Sequence, residues 1–147
     1  MKYFAVQVFV LVLVAVGCAP SGGVKPATGT PPPIKVAKEA DSGISRITLS
    51  DRAAQRLGIE TAEVGVATIG GVAETVIPYA AVIYDGQGKT WTYTNPEDLV
   101  FVRSPITVQQ IDGDRAIVSS GPAVGTRVVS VGGPELWGAE NGVGGGH

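Results

Sequence analysis

Gly88-Lys89-Thr90 has the ending of a phosphate-cradling loop, in which backbone N–H groups and a lysine hold a nucleotide's phosphates. That chemistry needs an earlier glycine where this chain has Ile83, and a helix after the lysine whose dipole completes the cradle. Thr90-Trp91-Thr92-Tyr93-Thr94 follows instead, alternating β-branched and aromatic residues as a strand does. An apolar run over residues 79–84 precedes Asp85-Gly86-Gln87-Gly88, so the glycines read as positions of a hairpin turn. Asp112-Gly113-Asp114 offers carboxylates for calcium, but such a loop needs further ligands and a closing glutamate, and it too reads as a turn. The sole histidine, His147, ends a glycine-rich tail, so no Ser/His/Asp or Cys/His arrangement can be assembled. No paired-carboxylate arrangement is visible either. The chain is expected to be no enzyme and to need no cofactor or metal.

The remaining reactive group is the thiol of Cys18. Lys2 supplies a positive charge, residues 3–16 a short apolar core, and Gly17 a small residue at the junction, which are the parts of a signal peptide over residues 1–17. The apolar run is shorter than the roughly 20 residues a spanning helix needs. Ala15-Val16-Gly17-Cys18 resembles the bacterial lipobox, which implies acylation of Cys18 by palmitate-type chains and a membrane-anchored envelope protein. Each buried CH₂ of an acyl chain contributes about 0.8 kcal/mol, and stable anchoring takes more than one chain. Ala19, in place of an aspartate, weakly favours the outer membrane where a host has one. With Cys18 acylated, the chain holds no thiol for a disulfide.

These groups need a scaffold. Residues 18–43 carry Pro20, Pro26, Pro31, Pro32 and Pro33 and no aromatic residue, and cannot bury enough apolar surface to offset ordering entropy. They read as a tether, reaching at most about 75 Å if polyproline-like. The folded part is expected over residues 44–140, a single small domain burying somewhat more than about 60% of its unfolded surface, followed by a mobile tail at 141–147. From residue 44 onward one lysine and six arginines face eleven acids, a net charge of −4, which argues against nucleic acid as a partner.

Within that domain residues 44–49 read as a strand. Ser50 then caps a short helix that starts at Asp51, at the positive end of the dipole, and stops at Gly58. Further strands are expected at residues 59–64, 72–77, 80–84, 89–94, 99–103, 106–109, 115–119 and 126–131, with turns at 95–98, 112–114 and 121–125. Pro134 opens a last helical turn through Trp137. This spacing predicts an all-β domain, a small roll or barrel with one short N-terminal helix.

Residues 44–64, ISRITLSDRAAQRLGIETAEV, resemble the opening of the periplasmic adaptors (membrane fusion proteins) of tripartite efflux pumps. Residues 76–140 resemble their closing domain, through VIPYAAVIYDGQGKTWTY, FVRSPITV, DGDRAIVSSG and GTRVVSVGGPEL. Full adaptors carry a barrel, a lipoyl-like domain and a helical hairpin between those segments, where this chain has only residues 65–75. The resemblance therefore implies the membrane-proximal domain alone, in which the N- and C-terminal segments meet beside a transporter. Lacking the hairpin, it would not reach an outer-membrane channel. Adaptors for copper and silver often use methionine clusters, whereas the only methionine here is Met1.

Most of Tyr79, Tyr84, Trp91, Tyr93, Phe101 and Trp137 are expected in the core, since a small domain needs large side chains to bury. Tyr84, Trp91, Tyr93 and Arg103 are the candidate partner contacts, with Arg103 and Arg115 able to meet a partner's acids and otherwise solvated. Two functions stay open. One is a lipid-anchored, non-catalytic module that binds an efflux transporter or another envelope protein; the other is a periplasmic carrier of a small ligand or metal.

Overall fold

The computed structural model describes residues 32–38 and 42–142; the expected signal peptide, Cys18, the first part of the tether and residues 143–147 lie outside them. In chain order the elements are β1 (Ile34–Lys38), β2 (Ser45–Leu49), α1 (Asp51–Leu57), β3 (Glu60–Glu63), β4 (Gly65–Ile69) and β5 (Val72–Pro78). A 3₁₀ turn (Tyr79–Ala81) leads to β6 (Ile83–Tyr84), β7 (Thr90–Glu97), β8 (Val100–Asp112), β9 (Arg115–Ser120), β10 (Arg127–Val131) and α2 (Gly133–Glu140). Among the described residues no helix is long and apolar enough to cross a membrane. The all-β expectation is borne out.

The strands form one antiparallel sheet in the order β3-β10-β7-β8-β9-β5-β4, with β2 added to the start of β8, β1 added to β2, and β6 added to β7. The 13-residue strand β8 joins its two halves. Its first part pairs with β2 and β7, and its second part pairs with β9. Successive strand residues point to opposite faces, and at β10 both faces are buried. Val129 faces a core of Ile47, Leu49, Ile83, Tyr93, Phe101 and Leu136, whereas its neighbour Val128 faces Val64, Ile77, Ala81, Ile106, Ala116 and Val118.

Local chemistry explains the ends of α1. The Ser50 hydroxyl accepts from the Ala53 N–H at 3.2 Å, and Gly58 at φ 63° closes the helix in the left-handed region that glycine tolerates. The hairpin after β6 is built by Asp85. Its carboxylate accepts from the backbone N–H groups of Gln87 (2.8 Å) and Lys89 (2.9 Å), so the supposed phosphate loop is a carboxylate-bound turn.

Several boundaries differ from expectation. Residues 34–38 form β1, paired with β2 from Ile34↔Leu49 to Lys38↔Ser45, instead of continuing the tether. The apolar-polar-apolar start Ile34-Lys35-Val36 is a short strand signal that the preceding prolines mask. Of residues 80–84 only Ile83 and Tyr84 form a strand; Ala80 and Ala81 belong to a 3₁₀ turn, because Pro78 ends β5 and the Val82 N–H returns to the Tyr79 carbonyl. The two strands expected at 99–103 and 106–109 are one strand running through Pro105. That proline is tolerated because β2 pairs only with residues 100–102, leaving no ladder bond to that side at Pro105. The turn expected at 95–98 is displaced as well. β7 continues to Glu97, the chain reverses at Leu99 with φ 60°, and the buried Asn95 amide donates to the carbonyls of Glu97 (2.6 Å) and Val100 (2.9 Å).

β4 was not anticipated. With β5 it forms a hairpin across Gly70 (φ 58°) and Gly71 (φ 85°), the dihedral signs of a type I′ turn. The short link between the adaptor-like segments is thus regular structure.

One core defect yields a prediction. The Thr90 and Thr94 hydroxyls donate to the Ile106 (2.7 Å) and Val102 (3.0 Å) carbonyls, but the Oγ1 of Thr92, fully buried between them, has no partner among the described residues. Thr92→Val removes that orphaned hydroxyl at similar shape and is expected to raise the unfolding free energy by about 1 kcal/mol. Denaturant titration would count against this account if the variant were less stable than the wild type.

Candidate functional site

The four expected contact residues have unequal fates. Tyr84, at 53% exposure, lies beside Tyr79 at 44%, and together they present an aromatic surface where β5 gives way to β6. Trp91 is half-buried and packs against the core that Tyr93 occupies. Tyr93 is 1% exposed, so its ring belongs to the core and offers a partner no surface, a correction to its assignment as a contact. Arg103 is neither solvated nor free for a partner's acid, because the fold already supplies one. Arg115 is exposed, 3.8 Å from Asp114.

The strands and α2 bring a polar cluster together around Trp91, Tyr93 and Arg103, on the face of β7 opposite Tyr84. Tyr93 and Arg103 are cross-strand neighbours on β7 and β8. The Arg103 guanidinium lies 4.2 Å from the Trp91 ring centroid and 5.0 Å from that of Trp137, held between two indoles. Its Nη2 lies 3.3 Å from Glu140 Oε1, and the Tyr93 hydroxyl donates to Glu140 Oε2 at 2.6 Å. Glu140, the last residue of α2, is therefore fixed by two partners, with its side chain only 6% exposed. Trp91 Nε1–H donates to Asp85 Oδ2 at 3.0 Å, tying the β6–β7 turn to the same cluster. The Arg103 Nε is buried with no hydrogen-bond partner among the described residues.

Asp85's carboxyl is held below its ordinary value, first by the Trp91 N–H it accepts, with the Lys89 and Gln87 backbone N–H groups adding to the effect. Tyr93 is driven the other way. Burial raises its hydroxyl far above the tyrosine range, the Glu140 bond and charge add to that, and Arg103 opposes them. Because the unfolded chain gives up this proton first, the associated stability is intact below the ordinary tyrosine value of about pH 10 and is lost progressively above it. Folded wild type and Tyr93→Phe are accordingly expected to show the same rise in tyrosinate absorbance, diverging only as the wild type unfolds. A tyrosine titrating in the folded wild type near pH 10 and missing from Tyr93→Phe would contradict the burial argument.

Chemically the cluster is a clamp. Among the described residues no group of three or more His, Cys, Asp or Glu side chains is placed to hold a metal ion. What the cluster does is fasten α2 to the sheet. A second feature lies on the outer side of α2: an apolar groove of about 720 Å³ between it, β1 and the end of α1, lined by Pro33, Ile34, Val36, Leu57, Pro134 and Ala139 among others.

Sequence reasoning missed Glu140 and Asp85 as parts of the cluster. Glu140 is 47 residues from Tyr93, and nothing local couples them. Asp85 did carry a signal, since an aspartate opening a glycine-rich turn is the residue type that binds turn N–H groups.

No family model matches the chain, and no curated relative matches it. Among solved structures it is similar to a 180-residue stretch of SilB from Cupriavidus metallidurans CH34, spanning its N-terminal metal-binding site and membrane proximal domain, determined by NMR. The likeness has 24% sequence identity and a TM-score of 0.46, and covers 57% of this chain. The chain spans about half, 48%, of that structure.

Proposed function

We propose that this chain is a non-catalytic lipoprotein of the bacterial envelope, anchored through acylated Cys18. Its β domain acts as a membrane-proximal, efflux-adaptor-like module that binds a transporter or another envelope protein. The observation that supports this reading is the pairing of the two adaptor-like segments. β2 lies against β8 and β3 against β10, so residues 44–64 and 76–140 complete one sheet with only the β4–β5 hairpin between them. A full adaptor stripped of its inserted middle would need that closure to stand alone. The accessible Tyr79–Tyr84 surface is the face assigned to the partner, since large amphipathic rings dominate such contacts. The Arg103 clamp supports that face from behind.

Two experiments test separate parts of the proposal. Affinity capture of the tagged full chain from detergent-solubilised membranes is expected to recover an inner-membrane transporter component, with less recovered by Tyr84→Ala. Nothing above background across several detergents would overturn the partner assignment. Feeding cells a palmitate analogue is expected to label the wild type and not Cys18→Ser; an unlabelled wild type would remove the anchor.

A further inference from the structure

The sheet ends in outer strands that face solvent on one side among the described residues, and they are guarded unequally. β1 carries Lys35 and Lys38, β3 carries Glu60 and Glu63, and β6 is only two residues long. Charge and shortness are the usual protections of an open strand edge. Among the described residues β4, Gly65-Val66-Ala67-Thr68-Ile69, pairs only with β5 and has no charge, no proline and an unbroken register. Val66 is 58% exposed on it. We propose that β4 is an interaction edge that pairs antiparallel with β4 of a second copy of this chain.

The register follows from the hairpin. In a two-residue hairpin the residues flanking the loop, Ile69 and Val72, exchange both backbone bonds, and the pattern then alternates along the strands. Val66 and Thr68 thus turn their backbone N–H and C=O groups outward. A twofold axis at Ala67 sets Val66 opposite Thr68 of the other copy, so the outward groups meet as hydrogen-bonded pairs. It also sets Ile69 opposite Gly65, placing the largest side chain of the strand where its partner has none. No charge meets its like. β3, by contrast, carries Glu60 and Glu63 within four residues, charges that disfavour pairing its edge with a second copy.

This edge is distinct from the Tyr79–Tyr84 face, so the pairing stands or falls independently of the proposed transporter. Cysteine crosslinking in intact cells producing the full chain tests it, in a Cys18→Ser background so that only introduced thiols react. Ala67→Cys faces its own copy across a non-hydrogen-bonded pair and is expected to give a disulfide dimer. Thr68→Cys lies diagonal to its copy, beyond bridging distance, and is expected to give about tenfold less. Mixing Val66→Cys chains with Thr68→Cys chains restores the dimer. Val66→Lys added to Ala67→Cys charges the exposed edge and suppresses the crosslink, while the purified protein keeps its circular dichroism and melting temperature. Absence of the Ala67→Cys dimer, equal crosslinking from Thr68→Cys, or no effect of Val66→Lys would overturn the proposal. So would Ala67→Cys crosslinking only to a different protein.

Discussion

Replacing Arg103 with alanine is expected to lower the unfolding free energy by about 3–5 kcal/mol, the largest effect of any polar substitution in the domain. Domains of this size hold about 5–15 kcal/mol in total, so the loss is a large fraction of what keeps the protein folded. The reason lies in the Glu140 carboxylate, 6% exposed and left without its cation once Arg103 is gone. The Tyr93 hydroxyl would still donate to it, but one neutral donor does not offset a buried charge. The stacking of the guanidinium between Trp91 and Trp137 is lost as well. Removing the pair together is a different matter. Arg103→Met with Glu140→Gln is expected to recover most of the loss, because both buried charges are removed while the amide oxygen can still accept from the Tyr93 hydroxyl, and the orphaned Arg103 Nε disappears. Denaturant unfolding followed by tryptophan fluorescence suits both variants, since the chain's two tryptophans flank the arginine. A single variant as stable as the wild type, or a double variant no better than the single, would show that the clamp carries little energy.

Leu136→Ala is expected to cost about 2–5 kcal/mol through lost transfer energy and the cavity left behind. Leu136 is fully buried and is the large side chain by which α2 enters the core of Ile47, Tyr93 and Phe101. α2 meets the sheet closely. Its N-cap, Gly132, sits at φ 89° with the Ile59 side chain against it, and a Cβ on Gly133 would come within 2.9 Å of Ile83. With Leu136 truncated the helix loses its anchor, and Trp137 and Glu140 lose the frame that sets them on Arg103. Arg103→Ala and Leu136→Ala should therefore be coupled. The cost of Arg103→Ala in a Leu136→Ala background is expected to fall short of its cost alone, because residues sharing one network are not additive. Strict additivity in a double-mutant cycle would mean that α2 stays docked without Leu136.

The parts of this protein legible in its sequence are those whose causes are local. Ser50 and Gly58 bracket α1 because a hydroxyl can satisfy an orphan N–H and a glycine can enter the left-handed region; both act within a few residues. The alternation from Thr90 to Thr94 sets which face Trp91 and Tyr93 take, since a strand's period is two. The all-β class follows from many such strands joined by short turns.

What local pattern did not decide was where strands end and which side chains meet. The break assumed at Pro105 is absent because the neighbouring strand stops at Arg46↔Val102, a fact about pairing and not about proline. β1 is a strand only because β2 lies beside it. Arg103 read as a surface cation because nothing near it in sequence is its partner. Chain folding carries Glu140 and Trp137 to it, and an arginine so enclosed is a fastening for the fold instead of a hand held out to another protein. Spacing along the chain encodes turns, caps and faces; the energy of burying a charge depends on neighbours that only the closed sheet supplies.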